Sequence, residues 1–247
     1  MVAAALALAE SYRYPRLGEA VTIDTRAFQE HGVKLGLGSS AVAALLAMAL
    51  ATERDDEVAL ELAIEAHRQA AGGEGSGVDV AAAFHGGVIA TARQPAVVTP
   101  LPSRCPGLHL TVLATGESAS TPALIAQCRA APTWRVWVAE LGGLAEEGIS
   151  AWCARDASRM LSVVTRAGHA MEGLGRDAGV PVVTPTIARV MAEAERRGAA
   201  AKPSGAGGGD VVMVLAPQAE LGAELAASVG LSVVDVAVDP IGLRREA

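Results

Sequence analysis

Apolar positions along the chain predict helices that alternate with short strands. Helical spacing is seen over residues 2–14, 41–51, 55–71, 80–84, 121–130, 187–197 and 219–228, and in overlapping patterns over residues 144–167 and 158–177. Strands are predicted over residues 20–24, 108–114, 211–215 and 232–238. Residues 94–107 hold four prolines and are predicted to link two halves. The pattern predicts an α/β or α+β protein with two lobes, residues 1–105 and 106–247.

Composition excludes several classes of protein. Of the 247 residues, 19% are charged and evenly spread, and no apolar run approaches the ~18 residues that a membrane-spanning helix needs. The formal charge of −7, without a basic stripe, argues against a nucleic-acid partner. Cys105, Cys128 and Cys153 are odd in number and widely spaced, which disfavours a disulfide framework or a zinc site and indicates the cytoplasm.

A glycine-rich segment, KLGLGSSA, lies directly before the most apolar predicted helix. Its candidate ligand-binding residues are Lys34, Gly36, Leu37, Gly38, Ser39 and Ser40. Backbone amides in such a turn, with the positive end of the helix dipole behind them, can bind an anion. Two serines at the predicted N-cap can equally well only cap a buried helix. The segment matches neither GxxxxGK[ST] nor GxGxxG, so neither a phosphate loop of that class nor a Rossmann fold follows.

Two further glycine-rich segments contain candidate chemistry. In GEGSGVDVAAAFHGG, Asp79 comes at the start of a short helix, where an acid is either a cap or a catalytic group. In KPSGAGGGD, four of residues 205–209 are glycine, which indicates close approach of the backbone to a ligand or another loop. The only two lysines, Lys34 and Lys202, each precede a glycine-rich motif. Lys202 is either a group that neutralises phosphate or an ordinary solvated lysine.

Taken together, these motifs resemble those of the GHMP kinases, and the finer features resemble the phosphomevalonate kinase branch. GLGSSA is similar to the nucleotide-phosphate loop, and SGAGGGD to the C-terminal glycine loop. Three more segments point to the branch: AHRQAAGGEGSGVDVAAAFHGG, TGESAST and GVPVVTP. The resemblance implies an α+β fold of two lobes, a ribosomal-S5-like N-terminal half and a ferredoxin-like C-terminal half.

The resemblance also implies roles for individual residues. ATP phosphates would lie on Gly36–Ser40, with Ser40 as a Mg²⁺ ligand and Asp79 as base or orienter beside the attacking oxygen. Lys202 would be the second catalytic residue. The C-terminal loop would add nucleotide contacts through Ser204, Gly205, Gly207 and Gly208. Acceptor-side contacts would come from Ser76, Gly77, Ser118, Ser120, Thr121 and Ala206, although the hydroxyl cluster among them is equally typical of a turn.

Two neighbouring residues, His67 and Arg68, help to distinguish the phosphomevalonate kinase branch from the mevalonate kinases. His67 belongs to the alanine–histidine pair typical of phosphomevalonate kinases, and is either a satisfied, partly buried histidine or a residue with a direct role. Mevalonate kinases have an acidic Mg²⁺ ligand where this chain has Arg68.

The expected reaction is therefore transfer of phosphate from ATP to 5-phosphomevalonate, a phosphorylated small molecule, by a monomer or homodimer. Mevalonate kinase or another GHMP kinase is the alternative enzyme.

The position of the first motif departs from the family pattern. These kinases normally begin with a strand and a PGK- or PGE-like motif well before the phosphate loop, whereas GLGSS begins here at Gly36. We therefore expect an N-terminally shortened GHMP fold, with sheet edges that invite pairing with another chain. The non-enzymatic alternative is a shortened GHMP-fold protein that binds a nucleotide or metabolite with weak catalysis.

Overall fold

The computed structural model describes residues 1–14, 22–30, 33–73, 75–93, 96–117 and 120–245. By contacts, the chain divides into two compact units, which are described separately below. Unit 1 consists of Met1–Ser103 and Val238–Ala247, and unit 2 of Arg104–Ala237. The sequence-based domain division, residues 1–105 and 106–247, stays a prediction, while by contacts the last residues of the chain belong with unit 1.

Unit 1 is mainly helical. Its helices are α1 (Val2–Ser11), a 3₁₀ turn (Arg26–Phe28), α2 (Ser39–Thr52), α3 (Glu57–Ala70) and α4 (Val78–His85). Its strands form two antiparallel pairs, β1 (Gln29–Glu30) with β2 (Val33–Lys34) and β3 (Val88–Arg93) with β4 (Ala96–Leu101).

Helices α2 and α3 differ as their sequences predict. Helix α2 is apolar on all sides, and Ala41, Leu45 and Met48 are fully or almost fully buried in the core of unit 1. Helix α3 is amphipathic, and the Asp56 side chain caps it by accepting bonds from the Val58 and Ala59 amides. Because α3 packs its apolar side on α2, its last turn is held against the core.

The C-terminal segment returns to unit 1 beside α4. The Leu243 amide donates to the Phe84 carbonyl, and the Gly87 amide donates to the Asp239 carbonyl. Gly86 and Gly242 are so close that a Cβ on either would collide with backbone of the other segment. Close backbone contact between the two segments therefore depends on glycine at both positions.

Unit 2 is built on one four-stranded antiparallel sheet. Its elements are β5 (His109–Ala114), α5 (Thr121–Ala130), α6 (Trp134–Cys153), α7 (Ala157–Ala178), α8 (Pro185–Arg196), β6 (Ala200–Pro203), β7 (Val211–Ala216), α9 (Ala219–Val229) and β8 (Ser232–Val234). The strand order is β6-β7-β5-β8. Leu113, Val212 and Val214 pack against Ile187 of α8 and Leu225 of α9 in the core of this unit.

Several predicted boundaries are wrong. The predicted linker, residues 94–107, contains the boundary between the two units, after Ser103, but it also contributes strand β4 to a hairpin, in which Pro100 pairs with Ile89. Helix α6 begins at Trp134, well before residue 144, where the first of the overlapping patterns starts, whereas α7 begins at Ala157, one residue from the start of the second pattern. Strand β6 was not predicted, and residues 22–24 of a predicted strand have no regular structure; residues 20–21 lie outside the described part.

Two glycines inside helices of unit 2 should respond oppositely to alanine. A Cβ on Gly173 of α7 would overlap the Trp137 ring, so Gly173→Ala should cost about 1–3 kcal/mol. Gly142 of α6 has open space at that position, so Gly142→Ala should stabilise the helix by about 0.5–1 kcal/mol. Scanning calorimetry on both variants should show a lower Tm for the first and a higher Tm for the second. Equal shifts would contradict the packing of Trp137 on α7.

Candidate active site

The N-terminus of α2 is formed by the predicted phosphate loop. Gly36 and Gly38 both have positive φ, of 65° and 81°, which glycine adopts at no steric cost. Gly38 is the N-cap residue, and Ser39 and Ser40 are the first residues of the helix. The prediction of a serine N-cap is therefore wrong, because the cap position needs a left-handed backbone that serine adopts poorly. The Ser40 hydroxyl is thus free of a capping role.

A second helix N-terminus lies next to the first. Gly77, with φ of 78°, precedes α4, which begins at Val78 rather than at residue 80 as predicted. A Cβ on Gly38 would lie 3.8 Å from the Asp79 Cβ, so the starts of α2 and α4 are in van der Waals range. Asp79 accepts a bond from the Val80 amide through Oδ1, and its side chain is 41% exposed. The positive dipole ends of α2 and α4 and the Asp79 carboxylate therefore lie close together.

His67, in the last turn of α3, lies between these two helices. Its Nε2 atom is 3.4 Å from Ser40 Oγ and 3.5 Å from Asp79 Oδ2. The residue is only 8% exposed, and Nδ1 is buried without a hydrogen-bond partner among the described residues. The alternative that His67 is a buried histidine with its hydrogen bonds satisfied is therefore wrong for the Nδ1 atom. The structure brings Ser40, His67 and Asp79 together from three helices.

The side chain of Arg68, the residue after His67, fixes the loop before α4. Arg68 donates from Nε to the Gly75 carbonyl, at 3.0 Å, and from Nη2 to the Ser76 carbonyl, at 3.1 Å. Ser76 is exposed, and Gly77 is buried against Ile64. Both predicted acceptor-side residues therefore belong to a loop whose path is held by charge-assisted hydrogen bonds.

In unit 2, the second glycine-rich loop connects β6 with β7. Gly205, Gly207, Gly208 and Gly209 all have positive φ, and the Gly208 amide donates to the Val182 carbonyl at 2.8 Å. A Cβ on Gly207 would overlap that same carbonyl oxygen. The density of glycines thus reflects close packing of this loop on residue 182, as well as its curvature. Ser204 and Gly205 are exposed, and Ala206 is half-buried.

Glu117 anchors the far end of this loop. Its carbonyl accepts the Asp210 amide at 2.7 Å, and its carboxylate accepts the Thr186 hydroxyl at 2.6 Å through Oε1. Thr115 adds bonds from its amide and hydroxyl to the Asp210 carbonyl. Glu117 was not predicted as a site residue, although the segment TGESAST contains it. That segment was selected only for its hydroxyl groups, and the acidic residue among them was the signal that could have identified Glu117.

The remaining candidates of unit 2 are placed as follows. Lys202 lies at the end of β6, where its ammonium group donates to the Pro203 carbonyl at 2.9 Å and burial lowers its pKa. It is therefore not the ordinary solvated lysine of the alternative interpretation. Ser120 is the exposed N-cap residue of α5, and Thr121 is the first residue of that helix. Ser118 lies outside the described residues, as does the side chain of Lys34, the last residue of β2.

Comparison with known proteins assigns the family. The family model described as GHMP kinases N terminal domain matches residues 1–87, and the one described as GHMP kinases C terminal matches residues 160–232. The chain belongs to the GHMP kinase family.

Individual relatives agree with this assignment. Phosphomevalonate kinase from Streptomyces sp. (strain CL190) is 31% identical over an alignment of 223 residues that covers 75% of this GHMP kinase chain and 58% of the relative's length. Among solved structures, the Lin0012 protein from Listeria innocua has a TM-score of 0.84 at 23% identity, with 96% of this chain and 77% of that chain covered. Streptococcus pneumoniae phosphomevalonate kinase in complex with phosphomevalonate and AMPPNP has a TM-score of 0.76 at 20% identity, with 94% of this chain and 78% of that chain covered. The GHMP kinase fold predicted from the motifs is confirmed.

The described residues of this GHMP kinase chain contain no group of three or more His, Cys, Asp or Glu side chains that could hold a metal ion. No helix among them is long and apolar enough to cross a membrane. A cavity of about 520 Å³ in unit 1 is lined mainly by apolar residues such as Phe28, Leu45 and Leu243, and none of the predicted site residues lines it.

Proposed function

We propose that the protein is an ATP-dependent kinase that phosphorylates a small phosphorylated acceptor, 5-phosphomevalonate. The observation that supports this best is the cluster of Ser40, His67 and Asp79 at two adjoining helix N-termini in unit 1. The unpaired amides of such termini bind phosphate oxygens, while a nearby carboxylate can orient or deprotonate an attacking hydroxyl or phosphate. Phosphoryl transfer needs mainly positioning and charge neutralisation, which these groups provide.

Each residue of unit 1 has a proposed part. Amides of Gly36, Leu37, Gly38, Ser39 and Ser40 would bind ATP phosphates, and Asp79 would orient the attacking oxygen. The hydroxyl oxygen of Ser40 suits Mg²⁺, which prefers oxygen ligands and takes the others from phosphate and water. Mg²⁺, when bound with the nucleotide, would neutralise charge on the β- and γ-phosphates. Ser76 and Gly77 would contact the acceptor.

The proposal extends to the glycine loop of unit 2. Amides of Ser204, Gly205, Gly207 and Gly208 would contribute to phosphate binding, and Ala206, Ser118, Ser120 and Thr121 to acceptor binding. The Lys202 ammonium would neutralise phosphate charge. Its pKa is lowered by burial, and a phosphate close to it would raise the pKa again because a negative charge favours the charged form.

The acceptor is proposed from the relatives and from Arg68. A phosphomevalonate kinase is the curated relative, and a solved neighbour contains phosphomevalonate. In mevalonate kinases an acid holds Mg²⁺ where this chain has Arg68, whose guanidinium instead binds the carbonyls of Gly75 and Ser76. Arginine cannot ligate Mg²⁺, which argues against the mevalonate alternative. The free cysteines support a cytoplasmic location.

An assay of ADP release tests this proposal. With ATP and Mg²⁺, the purified chain should turn over phosphomevalonate with a higher kcat/KM than mevalonate or homoserine. Preference for mevalonate would overturn the acceptor. No ADP release with any of the three, together with saturable ATP binding in calorimetry, would overturn the kinase proposal and favour a nucleotide-binding protein.

A further inference from the structure

The imidazole of His67 is held rigidly in unit 1. Its Cα belongs to the last turn of α3, and the residue is 8% exposed. Gly75 covers the Nδ1 side so closely that a Cβ there would lie 3.3 Å from Nδ1. The Gly75 carbonyl is in turn bound by Arg68, the residue after His67. The ring therefore has a fixed position from which Nε2 points to Ser40 and Asp79.

The surroundings of the two ring nitrogens favour a proton on Nε2. Asp79 Oδ2 lies 3.5 Å from Nε2, and because a carboxylate oxygen can only accept, its approach favours a proton on that nitrogen. Nδ1 is buried without a partner in the described part of the chain, and an unpaired buried N–H is rarer than an unpaired acceptor. Both considerations place the proton on Nε2, between Asp79 Oδ2 and Ser40 Oγ.

We infer that His67 is a positioning residue that joins Ser40 to Asp79 through Nε2–H and so sets the geometry of the Ser40 hydroxyl relative to the Asp79 carboxylate. The inference rests on the proposed function of those two residues. A hydrogen bond donated by Nε2 to Ser40 Oγ leaves the hydroxyl proton of Ser40 free for a ligand. Because three separate helices supply the three side chains, loss of the contacts at Nε2 would loosen the site.

Substitutions at His67 separate this role from packing. Glutamine can place an amide N–H near the Nε2 position, whereas the shorter asparagine reaches only the Nδ1 position. We expect His67→Asn to lower kcat by about 10-fold or more while KM for ATP changes far less, since misplacement of reacting groups lowers kcat. His67→Gln should retain most of the parental kcat. If asparagine is tolerated as well as glutamine at equal Tm, the inference is wrong.

A double-mutant cycle adds a second kinetic readout. If His67 acts through Asp79, His67→Asn should cost little further kcat in an Asp79→Asn background. Losses that multiply in the double variant would instead show that His67 acts independently of Asp79 and would overturn the inference.

Nitrogen NMR of the His67 ring tests the link without any turnover. We expect the Nε2–H tautomer in the parent protein and a changed Nε2 shift in Asp79→Ala, with Glu57→Ala, on the surface of α3, as the control that leaves it unchanged. An Nδ1–H tautomer, or a shift insensitive to Asp79→Ala, would refute the inference. If the parent shows this coupling but releases no ADP, the proposed function fails while the link between the residues stands.

Discussion

Asp79→Asn should lower kcat by at least about 10² and leave the Kd for ATP almost unchanged, because asparagine removes the charge that orients or deprotonates the acceptor. The amide oxygen of asparagine can still accept the bond from the Val80 amide that Asp79 Oδ1 accepts, so α4 should keep its start. ADP release gives kcat, and titration calorimetry gives the Kd. Circular dichroism checks that the variant is folded.

A second aspartate at a helix start in unit 1 is the matched control. Asp56 caps α3 with bonds from the Val58 and Ala59 amides and pairs with Arg54, and it is not among the proposed site residues. Since asparagine is as good an N-cap as aspartate, Asp56→Asn should leave kcat unchanged. Unchanged turnover in Asp79→Asn would mean that Asp79 only caps the start of α4, as in the alternative interpretation.

Gly207→Ala should both destabilise unit 2 and impair the glycine loop. The new methyl group would overlap the Val182 carbonyl oxygen, to which the neighbouring Gly208 amide donates, and φ of 84° is unfavourable for alanine. Overpacking and backbone strain together should cost about 2–4 kcal/mol. Displacement of the loop should lower kcat/KM by about 10-fold or more if it contributes to binding. Calorimetric Tm and steady-state kinetics measure the two effects.

The control lies in the same loop. Gly205 also has positive φ, of 65°, but open space surrounds its Cβ position. Gly205→Ala should therefore show the cost of the backbone conformation alone, about 1 kcal/mol. If both variants lose the same stability, close packing on residue 182 does not explain the glycine at position 207.

Elements with strong local signals were predicted well from the sequence. The predicted helix over residues 121–130 is α5, and α3, α8 and α9 differ from prediction by at most two residues at either end, because periodic apolar positions and capping residues mark them. The glycine-rich motifs also identified Gly38, Ser40 and Asp79 as candidates, and these residues do lie together in unit 1.

Elements whose structure depends on distant partners were missed or misplaced. Strand β4 contains Pro100 and lies in a proline-rich segment, and only pairing with β3 makes it a strand. Strand β6, AAKP, has no alternation and forms because β7 supplies its hydrogen bonds. The start of α6 was missed because Trp134 and Trp137 are only partly buried, by packing on another helical segment, which local periodicity does not reveal.

By itself, the sequence determined the helices with clear apolar periodicity, the glycine-dependent turns and the family. Those features depend on residue type and near neighbours, and their signals therefore survive without a fold. Tertiary structure alone decided that glycine rather than serine caps α2, that Arg68 holds the loop before α4, and that Glu117 anchors the C-terminal glycine loop. It also decided that His67, 27 residues from Ser40 along the chain, has its Nε2 beside both Ser40 and Asp79, because only the packing of three helices brings those side chains together.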